Sequence, residues 1–440
     1  MKRLSLLAHV FQAAFWLLCL NLIALPCNKA FAAEGDLDST FGTAGKVTTP
    51  LGSSDAYPWD VAIQSDGKIV VVGESSNGSD MDFTLVRYNS DGSLDTSFSG
   101  DGKVFTDVGS CNDYASGVAI QSDGKIVAAG YSYNGSTDDF AVTRYLADGS
   151  LDTSFNGTGI VTTDINSEDD YAYSLAIQSD GKIVVAGYVY NGSNYDICVV
   201  RYLTSGSLDT SFNGTGIVTT NVSGRNEYGY SVTIQSDGKI VVAGRASNGS
   251  NYDFVVVRYL SSGALDTTFN GTGVVTSDFS SGDDRAWSAA VQSDGKIVLA
   301  GEATMSGTLD FAMARYGSDG TLDTSFGTGG KVTLAIGSGR DAGSDIALPY
   351  GGKIVFVGEY SNGSDNDFAV TRYLSDGTLG STFGSGGITT TVFGSGDDYV
   401  SAVALQTDGK IVVVGYYCNG STNEFALARY VAYPVVTSES

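Results

Sequence analysis

Two repeated positions in this chain carry the side chains best suited to hold a ligand. At the first stand Asp113, Asp170, Glu227, Asp284, Asp341 and Asp398, 57 residues apart, with Ala56 where a seventh acid would fall. Three residues further on stand Trp59, Tyr173, Tyr230 and Trp287, with Ser116, Ser344 and Ser401 at the equivalent places. Between the two, Tyr57, Tyr114, Tyr171, Tyr228 and Tyr399 form a series that Arg285 and Ala342 break. Aromatic faces stack on sugar rings and carboxylates accept hydrogen bonds from hydroxyls, so a mixed rim would suit a polar, neutral ligand. The competing explanation is structural: tyrosines wedge adjacent units apart, and the acids keep a surface soluble. Serine at equivalent places shows that the repeat itself does not require a large ring there.

Other chemistries are narrower. The one histidine is His9, in a stretch read below as a removable leader, so the remainder offers no imidazole to a Ser-His-Asp mechanism or to zinc. Paired carboxylates, as in glycoside hydrolysis, need no histidine. No pair stands out as unique, so an enzyme is the second expectation and a binding module the first. Asp80-x-Asp82 and Asp365-x-Asp367 set carboxylates beside turns, and oxygen ligands in loops suit calcium. The spacing is not that of an EF-hand, and most copies carry Thr or Asn at the first position, so solvated turn capping competes. No other cofactor is expected. The Asn-Gly-Ser sequences at Asn77, Asn134, Asn191, Asn248, Asn362 and Asn419 match a glycosylation acceptor, but a hairpin turn explains them and their even spacing.

These residues are positioned by a repeat. Asp66-Gly67-Lys68 returns at 123, 180, 237, 294, 351 (as Gly-Gly-Lys) and 408; Arg87-Tyr88 and Leu37-Asp38-x-x-Phe41 return in the same step of 57. Seven copies fill residues 35–433 without insertion or deletion. Within one copy, Tyr114 to Gln121 alternates with period two, Ser122-Asp123-Gly124 turns, and Lys125 to Gly130 is nearly continuous in apolar residues. Phe140 to Tyr145 and Gly159 to Thr163 follow as a third and fourth strand. Four antiparallel strands, seven times, predict an all-β, seven-bladed β-propeller. The first copy begins with an outer-type strand, Lys46 to Thr49, and the last stops after its third, so residues 46–49 are expected to complete blade seven. The seven repeated arginines occupy an interior strand position, where a buried charge requires a partner. The aspartates of the Leu-Asp motif are as periodic as the arginines, and a structural pair in every blade is expected.

With these motifs, the chain resembles the delta-60 repeat family of bacterial β-propellers. The Gly-x-Leu-Asp-x-x-Phe-Gly-x-x-Gly stretch appears at Gly35 to Gly45, the Gln-x-Asp-Gly-Lys-Ile-Val pair recurs, and Asp-Phe-x-x-x-Arg-Tyr appears at Asp82 to Tyr88. The resemblance spans residues 35–433. Gly351, Gly380, Ile197 and Glu424 are isolated departures. The resemblance implies the fold and carries no catalytic residues with it.

Lys2-Arg3, the apolar Leu4 to Leu25 and Ala30-Phe31-Ala32 have the layout of a cleavable secretory signal, residues 1–32. A propeller at 33–434 and a short tail at 435–440 follow. Removing the leader leaves 49 acids against 21 bases, a net charge of −28. That charge opposes binding to nucleic acid or anionic membranes. The expected product is a secreted or periplasmic monomer, without membrane insertion once the signal is cleaved, that binds an extracellular glycan or protein. Cys111, Cys198 and Cys418 fall at unrelated places in the repeat and do not form a disulfide framework.

Overall fold

The computed structural model describes residues 32–52 and 54–433; the expected leader, save Ala32, and the expected tail lie outside the described residues. Every element among these is a β-strand. Seven four-stranded antiparallel sheets follow one another along the chain. In the second blade the strands are Asp113–Ile120, Ile126–Tyr133, Asp138–Tyr145 and Ile160–Thr163. Glycine and aspartate close the first hairpin, where Gly124 takes φ 86° and the Asp123 carboxylate accepts the Lys125 amide. Asn134 closes the second by accepting the amides of Ser136 and Thr137. The expected glycosylation look-alikes are therefore turn builders.

The inner strands contact one another around the ring, blade one touching blades two and seven. The middle strands are buried on both faces because seven apolar clusters fill the spaces between neighbouring blades. One of these joins Ile69, Val71 and Val86 of blade one to Val412, Val414 and Leu427 of blade seven. Blade seven takes its outer strand from the other end of the chain: Lys46–Thr49 pairs antiparallel with Asn423–Tyr430, Val47 opposite Leu427.

The Arg-Tyr dipeptide holds blades to both neighbours, except that in blade six Tyr373, facing Leu334, has no hydroxyl partner. Arg144 donates from Nε to Asp152 at 2.8 Å and from Nη1 to the Thr204 carbonyl of the next blade at 2.6 Å, while lying 4.6 Å over Phe155. Tyr145 shares a 2.8 Å hydroxyl hydrogen bond with Thr106 of the preceding blade. The lysine of the hairpin motif joins the same aspartate, Lys125 to Asp152 at 3.1 Å. The sixth blade lacks this aspartate, having Gly380, and Glu34 from the N-terminal segment pairs with Arg372 instead.

Candidate functional site

In each inner strand one residue is left out of the ladder. The pairing with the second strand skips between Pro58 and Asp60, Ala115 and Gly117, and Ala172 and Ser174, and likewise in the other four blades. The skipped residues are Trp59, Ser116, Tyr173, Tyr230, Trp287, Ser344 and Ser401. A β-bulge re-aims the side chain it frees. Here all seven line a single basin of about 550 Å³. The four aromatics expected at the rim thus share one basin, with the Trp287 ring tilted 36° to Tyr230 at 4.4 Å and Tyr230 lying 5.3 Å from Tyr173. Trp59 is the most open, at 45% exposure.

The six acids do not join them, and the expectation that they face a ligand is corrected. Asp113, Asp170, Glu227, Asp284, Asp341 and Asp398 have no exposed surface and do not line the basin. Each caps the connector that enters its blade. Asp113 accepts the Val108 amide at 2.6 Å, Asp341 accepts Ile336 and Gly337 at 2.7 and 2.9 Å, and Glu227 accepts the Ser223 hydroxyl at 2.5 Å. Burial, with neighbouring aspartates, lifts Asp170 to about 8 and Asp284 to about 7. Their burial also excludes a role in surface solubility. Of the turn carboxylates weighed for calcium, Asp80 is taken up by Asn77, whereas Asp82 converges with Asp107 and Asp113. Asp365 is likewise held by Asn362.

A third position, not singled out from the sequence, completes the basin. It follows the glycine of each second strand and holds Glu74, Tyr131, Glu302, Glu359 and Tyr416, which line the basin, and Tyr188 and Arg245, which do not. The glycine is needed because the bulge presses the inner strand against it: a Cβ on Gly130 would stand 1.9 Å from the Tyr114 carbonyl oxygen. The next residue faces its cross-strand partner, Tyr114 opposite Tyr131 and Arg285 opposite Glu302. A constant glycine followed by a residue that changes between acid, base and tyrosine was the available clue.

These pairs divide the basin into unlike arcs. Blades two to four supply an aromatic arc in which Tyr114 stacks on Tyr131 at 4.9 Å and the Tyr173 and Tyr188 hydroxyls meet at 3.2 Å. Arg245 lies behind it, 4.6 Å over Tyr228 and 4.4 Å over Tyr252. Blades five and six supply a charged arc. Arg285 meets Glu302 at 3.1 Å, and Arg340 reaches Glu359 at 2.7 Å and Glu302 at 3.6 Å. Alanine at 342, opposite Glu359, replaces the tyrosine or arginine found there in the other blades.

Glu74, in blade one, stands apart. Its only side-chain partner is the Trp59 indole N–H, at 2.5 Å. Burial pushes its carboxyl up to about 8, the indole hydrogen bond offsetting only part of the shift. Burial also lifts Glu359 to about 7, against the pull of Arg340. Deeper in, Asp60 accepts the Val61 and Val118 amides, and burial raises it to about 7. Cys111, Cys198 and Cys418 are free thiols, and none lines the basin.

Fold and site together define a seven-bladed β-propeller with one asymmetric aromatic and acidic basin at its centre. The chain belongs to the DUF5122 β-propeller family, a domain of unknown function, whose profile matches residues 64–98, 121–155, 178–212, 235–269, 292–326, 352–383 and 406–431. Its fold is similar to that of virginiamycin B lyase from Staphylococcus aureus, at 10% identity and a TM-score of 0.50, over 87% of this chain and 98% of that one. It is also similar to Sqt1 from Chaetomium thermophilum, at 14% identity and a TM-score of 0.47, over 87% and 96%. Polysaccharide lyase Uly1 is similar at 13% identity and a TM-score of 0.43, over 93% and 94%. At such identities the likeness is one of fold alone. No curated protein matches the chain.

Proposed function

We propose that this protein is an exported binding propeller whose basin takes a neutral glycan. The observation that carries the proposal is the set of seven bulges, which deliver two tryptophans, two tyrosines and three serines into one cavity. A ring kept uniform for packing would place one residue type at all seven positions. Instead, Trp59, Tyr173, Tyr230 and Trp287 provide faces for sugar rings, and the three serines provide hydroxyls. The cavity volume lies within the roughly 300–1,000 Å³ usual for small-ligand sites. Both basin arginines are paired with glutamates, so neither is left free to recruit an anion, and Asp60 and Asp345 add further acids. This favours a neutral sugar over an acidic one.

A second function is supported by Glu74, a buried basin carboxyl whose one side-chain partner is the Trp59 indole. A carboxyl held protonated near neutral pH can donate a proton to a leaving oxygen, as carboxylate-based glycosidases require. A glycan array probed with the full chain, followed by assay of reducing-sugar release on any hit, distinguishes the two. Binding without release supports the module, release abolished by Glu74→Gln supports the hydrolase, and no glycan hit refutes both.

A further inference from the structure

Three of the junctions between blades gather carboxylates in a way the basin does not explain. At the junction of blades one and two, Asp82 of the third strand, Asp107 after the outer strand and Asp113 at the next inner strand each direct one oxygen to a common point, these atoms lying within 4.8 Å of one another. Asp139, Asp164 and Asp170 repeat the arrangement between blades two and three, and Asp253, Asp278 and Asp284 repeat it between blades four and five. Two acids of each trio are buried, and the third is exposed.

A cluster of acids alone is common on proteins, but here the buried members are incompletely satisfied. In Asp113, Asp170 and Asp284, one carboxylate oxygen takes a connector amide and the other has no hydrogen-bond partner at all. These residues have no exposed surface, and Asp82 adds another unpartnered oxygen in the first trio. A buried carboxylate oxygen without a donor is costly and requires compensation. The ring supplies its own comparison at the junction of blades three and four. Asn221 stands there in place of the exposed aspartate, and its amide donates to Asp196 at 2.9 Å, so a neutral donor meets that carboxylate, while Glu227 keeps one unpartnered oxygen. At the junctions of blades five and six and of blades six and seven the same position is Ala335 and Val392, and among the described residues no trio forms there, although Asp398 also keeps an unpartnered oxygen.

We infer that the three trios are calcium sites that fasten neighbouring blades together. Oxygens about 2.3–2.6 Å from a shared calcium ion stand no more than roughly 5 Å apart, which these trios satisfy. A set made only of carboxylates suits a hard cation and gives zinc or copper no nitrogen or sulfur. Magnesium retains its waters and demands a regular octahedron, which suits it poorly to rigid buried carboxylates.

The test is calorimetric titration of the EDTA-stripped full chain with calcium chloride, with magnesium chloride as the control. Three calcium ions per chain are expected, with a higher melting temperature in calcium than in EDTA and no comparable response to magnesium. Asp107→Asn, at the exposed member, should lower the count from three to two and leave the melting temperature in EDTA unchanged. Combining it with Asp164→Asn and Asp278→Asn should abolish the calcium-dependent rise. Absence of calcium uptake by the parent chain, or undiminished uptake by the combined variant, overturns the assignment. If the combined variant does not fold, the count for Asp107→Asn alone decides.

Discussion

Trp59 and Trp287 occupy the same bulge in blades one and five, where Ser116, Ser344 and Ser401 fit equally well. Trp59→Ser and Trp287→Ser should therefore each cost less than the ~3–5 kcal/mol of truncating a buried tryptophan, as measured by urea unfolding. Glu74 makes a pH prediction. Its native carboxyl keeps its proton up to about 8, while the unfolded chain releases it near the ordinary 4.5. The native state thus binds more protons across that interval, and stability falls as pH rises through it. Glu359 and Asp60 act in the same direction. In Glu74→Gln the decline in urea midpoint between about pH 5 and 8 should be shallower than in the parent. The aromatic positions were legible because they vary against a constant background. The six acids were misplaced because sequence shows a polar residue at a strand edge but not the direction of its side chain. Backbone amides of the connector draw each one inward. Glu74 and its equivalents were hidden just past the glycine at which the apolar run was expected to end, as Tyr131 follows Gly130.

Among the elements, the third strand ties the ring together, because its arginine reaches forward one blade and, in every blade but the sixth, its tyrosine reaches back one. Arg201 illustrates the forward contact: it meets Asp209 at 2.8 Å, both side chains nearly buried, and the Ser261 carbonyl at 2.6 Å. Arg201→Met leaves Asp209 buried with Lys182 alone, and a loss of ~3–5 kcal/mol is expected on removing one partner of a buried pair. An unchanged melting temperature would show that the pair is dispensable. The inner and outer strands were legible to within a residue, since glycine and aspartate mark the turns and the alternating pattern marks the inner strand. The second, by contrast, runs on to Tyr133 and the third begins at Asp138, beyond the expected Gly130 and before the expected Phe140. The Arg-Asp pairing was legible from shared periodicity. The substitution of Glu34 for the missing aspartate at Gly380 was not, because the two lie 346 residues apart and meet only through the ring. The bulges were not read from the sequence, although the constant glycine of each second strand is their mark.

On the scale of the whole molecule, blade seven joins the two ends of the chain, and the contact extends beyond Lys46–Thr49. Gly35 donates to the Val431 carbonyl, Asp38 pairs with Arg429, and Tyr88 of blade one reaches Thr49. Deleting residues 33–50 would expose the edge of Asn423–Tyr430 and remove the partners of Arg372 and Arg429, so the shortened chain should aggregate on size-exclusion chromatography. A monomer with an unchanged thermal transition would contradict this mode of closure. The ring and its closing strand were legible from the order of the motifs, whereas the unlike arcs of the basin required the sheets to be assembled. The most direct test of the basin as the ligand site uses its own tryptophans. Apart from Trp16 in the expected leader, Trp59 and Trp287 are the only ones in the chain. Titrating the full chain with a neutral glycan from the array should change its tryptophan emission, and Trp59→Ser combined with Trp287→Ser should weaken the same glycan at least tenfold by calorimetry, the loss of about 1.4 kcal/mol. Binding that leaves the emission unmoved, with affinity intact in the double variant, would place the ligand elsewhere and contradict the account.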